Sequence, residues 1–254
     1  MSNTVHNLVS KQFSPRAAAY VQSAVHAQGE DLNDLATFAK ANTSAHALDL
    51  GCGGGHASFT LAPHVGDIIA YDLSAEMLAA VAQEAAARGL ANLKTQQGTV
   101  EKLPFADASF DFATTRYSAH HWHDIRAGLR EARRVLKTGG RAMFLDAFAP
   151  ANPLLDTFLQ TIEMLRDPSH VRDYSVAEWS AMLRDAGFEP TLATQYKVRI
   201  DYTAWIARMQ TPAVYANAIR ALQTDMSEEV LKHYAIEADG SFMLDAMSMK
   251  AVAV

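Results

Sequence analysis

The sequence predicts an α/β chain, a mostly parallel sheet of seven strands with helices on both faces. Three observations carry this. The apolar run 45–50, AHALDL, reads as a buried strand and breaks at once into Gly51-Cys52-Gly53-Gly54-Gly55. A helix-like segment runs on to about Leu61, and a second short strand, 68–71, ends at Asp72. Beyond it, strand-like runs alternate with segments of helical periodicity, the order that builds a parallel sheet.

The first turn is a candidate ligand site. Glycines let a backbone approach a ligand, because no Cβ intervenes and positive φ costs little. The helix that follows points unpaired N–H groups at the same place. An acid at the end of the next strand, Asp72, can accept both hydroxyls of a ribose. Read as G-x-G-x-x-G, the turn supplies Gly51 and Gly53, but the third position is His56, which weakens a nicotinamide dinucleotide reading. Asp49, inside the first strand, would repel a pyrophosphate and suits a ligand with positive charge. S-adenosylmethionine (SAM) carries an ammonium and a sulfonium. The segment Leu48-Asp49-Leu50-Gly51-Cys52-Gly53-Gly54-Gly55 resembles the first motif of the class I SAM-dependent methyltransferases. From about Leu48 to Phe188 the chain looks closest to their type 11 small-molecule group, which includes the quinone C-methylating enzymes. That resemblance implies a Rossmann-like sheet with a helical lid.

Composition narrows the partners. The 254 residues are 49% hydrophobic and 20% charged, enough for one large domain with a lid. A formal charge of −6 offers no basic field for a nucleic-acid backbone. The single cysteine, Cys52, cannot form an intramolecular disulfide and reads as a small buried filler. No run approaches bilayer length, and the first residues lack the apolar core of a signal peptide. The expectation is a cytoplasmic protein with a small-molecule partner and neither nucleic acid nor membrane, a homodimer being left open.

In chain order, 1–44 reads as a helical cap ahead of a domain over 45–254. By the resemblance, Phe13 and Tyr20 belong to a segment folding over the cofactor, and the Tyr20 ring suits a sulfonium. After Asp72, Ser74 is an N-cap, Met77, Leu78, Val81 and Ala85 make one apolar face, and Gly89 closes the helix. Leu73 and Met77 are candidates for the adenine slot. The polar strand 92–97 suits a sheet edge. In Gly98-Thr99-Val100-Glu101, Thr99 stands where the family often has an Asp that bonds the adenine amino group. Thr99, the Val100 N–H and Glu101 are then the candidate adenine contacts.

Strand 110–115 leads into Arg116-Tyr117-Ser118-Ala119-His120-His121-Trp122-His123-Asp124. In open parallel sheets the ligand sits at the carboxyl ends of the strands, which puts this loop beside the transferable methyl. Arg116 and Ser118 are assigned to the cofactor side, and His121 or His120 to a general base. The H-H-x-H spacing matches no metal pattern, and no metal is expected. No Asn/Asp-Pro-Pro-aromatic tetrapeptide marks an amino-group methylase.

Asp124 caps a helix through Leu136, and Leu136-Lys137-Thr138-Gly139-Gly140 turns into strand 142–148. Pro153 opens a helix to about Arg166. Ser175 and Glu178 form a capping box ahead of Trp179, Met182 and Leu183. Strand six is placed at 192–200 and the last, antiparallel strand at 242–252. Between them an insertion at about 202–238, with Trp205, Arg208, Pro212, Tyr215 and Tyr234, reads as a helical lid over the acceptor. His170, Arg172 and Tyr174 are further candidates for that pocket. The implied activity is transfer of the SAM methyl to a small-molecule acceptor by in-line displacement. The alternative is a SAM-binding partner or regulator without turnover.

Overall fold

The computed structural model describes residues 4–21, 29–40 and 44–254. Strands β1 (His46–Leu50), β2 (Asp67–Asp72), β3 (Leu93–Gln97), β4 (Phe110–Arg116), β5 (Leu136–Ala147), β6 (Phe188–Ile200) and β7 (Phe242–Ala253) form one sheet in the order β3-β2-β1-β4-β5-β7-β6. β7 runs antiparallel to both neighbours, and the pairs among β1–β5 are parallel. Strand order reverses between β1 and β4, so the chain leaves a crevice at their carboxyl ends.

Ahead of the sheet lie α1 (Val5–Phe13), a single 3₁₀ turn, α2 (Ala17–Val21) and α3 (Glu30–Ala39). The next helices are α4 (His56–Leu61), α5 (Ala75–Ala87), α6 (Ile125–Val135), α7 (Pro153–Arg166) and α8 (Val176–Asp185). Helices α9 (Tyr202–Met209), α10 (Ala213–Asp225) and α11 (Glu228–His233) fill the insertion between β6 and β7. The expected caps are in place: Ser74 accepts from the Met77 N–H, Asp124 from Ala127, and Ser175 and Glu178 exchange both bonds of a capping box.

The period-two geometry of β1 sorts its side chains. Leu48 and Leu50 pack with Ile125, Leu129 and Trp179 of α6 and α8 on one face. Ala47 joins Leu35 of α3 and Ala57 and Leu61 of α4 on the other. Asp49 shares the second face, wholly buried, and meets Ser58 of α4 there. A separate apolar cluster joins α7 and the insertion helices through Phe158, Trp205, Ile219, Tyr234 and Phe242.

Two boundaries depart from expectation. The ladder of β5 begins at Leu136 opposite Phe110 and resumes at Arg141 opposite Phe112, so the double-glycine turn is a bulge within the strand. Gly139, at φ +78°, supplies the left-handed residue there. β6 starts at Phe188, opposite Ala253, and passes through Pro190 with a register shift. Prolines are confined to edge strands and bulges, and here the strand is an edge and the register shift falls at that residue.

Candidate active site

The carboxyl ends of β1, β2 and β4 open onto two connected cavities. One is lined by Gly51, Cys52, Gly53, Asp72, Met77, Arg116 and Ser118, with Phe13 and Tyr20 above. The other takes Asp72, Leu73, Thr99, Val100 and Glu101. A third, larger chamber of about 370 Å³ lies beside them, beneath α9 and the ends of β6 and β7. His121 lines all three.

Asp72 is fixed by its own surroundings. One carboxylate oxygen accepts from the Gly53 N–H at 2.8 Å and the other from Ser74 at 2.9 Å. The carboxylate keeps acceptor capacity for a ligand hydroxyl. Burial raises its pKa, and the three backbone donors around it pull the other way. Gly53 sits at φ +49°, and a Cβ built there would meet none of the described residues within 4 Å, so the backbone itself forms the cavity wall.

Behind the turn, burial pushes Asp49 up to about 7, against a 2.6 Å hydrogen bond from Ser58. The other Asp49 oxygen is buried without a hydrogen-bond partner among the described residues. Asp49 lines none of the three cavities; it sits one layer beneath the glycine turn. Cys52 is buried, and its thiol is raised by burial and by the Asp72 and Asp49 charges, as a filler's would be.

The place of the third glycine is used differently. His56 Nε2 pairs with the Tyr20 carbonyl at 2.9 Å, and a Cβ on Gly54 would come within 2.8 Å of that carbonyl. The cap is thereby docked on the glycine turn. Arg116 pairs with Asp31 of α3 at 2.5 Å, and Ser118 Oγ accepts from the Trp122 indole. Glu101 accepts the His123 N–H, so it also holds the loop after β4.

That loop carries a buried polar cluster. His120 Nδ1 lies 2.6 Å from Asp146 of β5. Burial alone would lower its pKa, but the Asp146 charge and hydrogen bond outweigh it, and His120 is raised to about 9. Burial and the neighbouring His120 charge depress His121 to about 4, so its ring is neutral near pH 7. The His120 carbonyl receives the N–H groups of Val171 and Arg172, which fastens the 166–174 segment to the loop.

The chamber takes Arg166 and Asp173 from that segment, together with Glu163 of α7. His170, Arg172 and Tyr174 do not line it. His170 is buried against Gln160, and Arg172 turns outward to Asp156 and Glu178. Of the insertion residues, Trp205 and Arg208 line the chamber, whereas Tyr234 is packed in the lid core and Tyr215 is exposed. Asp146, Asp173, Glu163 and Arg166 were not singled out in the sequence. Asp146 carried a legible signal, an acid in an apolar strand, the same one that marked Asp49.

A glycine turn, an acid one strand on and a second chamber at the switch point define the methyltransferase class of Rossmann-like folds. The chain belongs to the methyltransferase domain family, whose model matches residues 48–144. It is 45% identical over 197 residues to the uncharacterised protein YafE of Escherichia coli, spanning 78% of this chain and 95% of that one. It is 36% identical over 242 residues to the uncharacterised methyltransferase YcgJ of Bacillus subtilis, spanning 95% and 96%. The YcgJ crystal structure superposes with a TM-score of 0.83 over 88% of this chain and 98% of that one. A 2-phytyl-1,4-naphtoquinone methyltransferase of Synechococcus elongatus is 34% identical over 178 residues, 67% of this chain and 75% of that one. Among the described residues, no helix is long and apolar enough to cross a membrane.

Proposed function

We propose that the protein transfers the methyl of SAM to a small, largely apolar acceptor held in the 370 Å³ chamber. SAM supplies a methyl on a sulfonium, an excellent leaving group. Asp72 is the residue that carries the reading, because it lines both cavities and its carboxylate retains acceptor capacity for the ribose. Leu73, Thr99 and Val100 would flank the adenine, with Gly51, Cys52, Met77, Glu101, Arg116 and Ser118 completing the walls. The open space beside Gly53 suits a nucleoside held against the turn, with Asp49 one layer beneath it. The described parts of 1–44, together with 202–238, act in this reading as two halves of a lid over the domain 45–254; residues 1–3, 22–28 and 41–43 of that cap lie outside the described residues. Tyr20 and Phe13 contribute aromatic faces from the first half.

The chain's main task is placement. Holding two reactants at near-attack distance supplies about 7–11 kcal/mol in favourable cases. His121, at the junction of the cavities and neutral, is the group positioned to take a proton from an acceptor hydroxyl or acidic carbon. His120, kept cationic by Asp146, would stabilise negative charge developing on the acceptor. The apolar lining of Ala147, Val198, Ile200, Trp205 and Leu244 suits a ring such as a quinone head group, in line with the quinone-methylating relative.

Calorimetry with SAM tests the cofactor half. The parent chain should bind SAM and not a nicotinamide dinucleotide, and Asp72→Ala should abolish titratable binding. Equal affinity in both would overturn it. Labelled SAM with a panel of phenols, quinols, amines and thiols tests the acceptor half. Tight SAM binding without turnover on any acceptor points instead to a regulatory partner.

A further inference from the structure

We propose that His120, Asp146 and Asp173 form a binding site for a divalent transition-metal cation at the edge of the acceptor chamber. The three come from separate elements: the loop after β4, the end of β5 and the segment ahead of α8. Each offers one ligand atom, and those atoms lie within 4.8 Å of one another. Metal bonds of about 2.0–2.2 Å span up to about 4.4 Å between opposite ligands, so an ion would draw the group in only slightly.

An independent observation marks the spot. Asp173 is 2% exposed, lines the chamber, and its Oδ2 has no hydrogen-bond partner among the described residues. The His170 ring nitrogen stands 3.9 Å from it and is engaged by Gln160 instead. A buried carboxylate oxygen left without a donor is costly, and a cation is the ligand that repays it. Binding would displace the proton that His120 otherwise holds beside Asp146, and the two carboxylates with the resulting neutral imidazole then balance a 2+ charge.

The donor set selects the ion. One imidazole and two carboxylates suit zinc, manganese or iron(II), whereas calcium asks for six to eight oxygens. The ligands are held from behind, as metal ligands usually are. The Ala147 N–H donates to Asp146, and the Asp173 backbone N–H donates to Gln160. His123, despite the His120-His121-x-His123 run, lies outside the group, so sequence spacing could not have found it. The open side faces the chamber, where such an ion would take oxygen donors of an acceptor; that consequence rests on the function proposed above, and the ion site does not.

The test uses the full chain stripped with a chelator and titrated with Mn²⁺, followed by calorimetry and electron paramagnetic resonance, without SAM. The parent should take up about one Mn²⁺, and Zn²⁺ should displace it. Asp173→Asn and Asp146→Asn should each weaken binding about tenfold or more, and Asp173→Glu should retain it. Melting curves identify any variant that is unfolded, in which case Asp173→Glu against the parent and the Zn²⁺ displacement decide. No uptake by the parent, or parent-like uptake in both Asn variants, overturns the site. Failure of SAM binding with Mn²⁺ uptake intact removes the cofactor reading and leaves this one standing.

Discussion

At the scale of single residues, Asp49 shows how burial beneath the glycine turn governs a charge. Its pKa in the folded chain is raised from 3.8 to about 7, chiefly by burial. The folded state therefore holds more protons than the unfolded one between about pH 4 and 7, and stability falls as pH rises through that window. The ceiling on this loss is on the order of 4 kcal/mol, three units at about 1.4 each. Asp49→Asn keeps the Ser58 hydroxyl's acceptor and removes the charge. Its melting temperature should exceed the parent's at pH 8, by a margin that shrinks toward pH 4. The same variant should bind SAM more weakly. A margin independent of pH would show that Asp49 is not the titrating group.

His56 illustrates a second residue-scale point. Read as a failed third glycine, it counted only against a dinucleotide. Its ring in fact bonds the backbone of a residue 36 positions earlier, a relation that no local pattern encodes.

Among the elements, the short helix α2 sits on the glycine turn through His56 and through the missing Cβ of Gly54. Gly54→Ala would drive a methyl into the Tyr20 carbonyl, and the backbone on one side must yield. The expected outcome is faster amide exchange over 17–21 and weaker SAM binding, with the global melting temperature nearly unchanged. His56→Ala should do the same more mildly, losing about 0.5–1.5 kcal/mol for one hydrogen bond. Undisturbed exchange in both variants would mean the cap is held elsewhere.

Helices α4–α8 follow from signals within each segment: caps at Ser74, Asp124 and Ser175, apolar faces at helical spacing, a glycine after α5; the strand order comes from the packed sheet. The elements misjudged at their ends, β5 and β6, are ones whose limits depend on a partner strand. Leu136 is in the ladder because Phe110 is opposite it, and Phe188 because Ala253 is.

For the molecule as a whole, the core joins the sheet to α6 and α8 around Trp179, which is 1% exposed. Its indole N–H is buried without a partner among the described residues. Trp179→Ala should cost about 3–5 kcal/mol in denaturant unfolding. Trp179→Phe removes the orphaned donor along with part of the ring and should cost far less. Both should leave SAM affinity at the parent's level, since the residue lies away from every cavity wall described. A fall in affinity would tie the core to the site.

What the sequence determined by itself was the class of sheet, the glycine turn, the acid at Asp72 and the membership of the loop after β4. Each is a local matter, settled by residues a few positions apart, because turn chemistry, capping and strand periodicity act over that range. The tertiary structure alone decided that Asp146 grips His120, that Asp173 reaches the chamber while Arg172 turns away, and that Asp49 lies under the turn. Those outcomes depend on which strand ends converge at the switch point. Convergence is a property of the packed sheet, and a buried charge finds its partner only after the chain has closed around it.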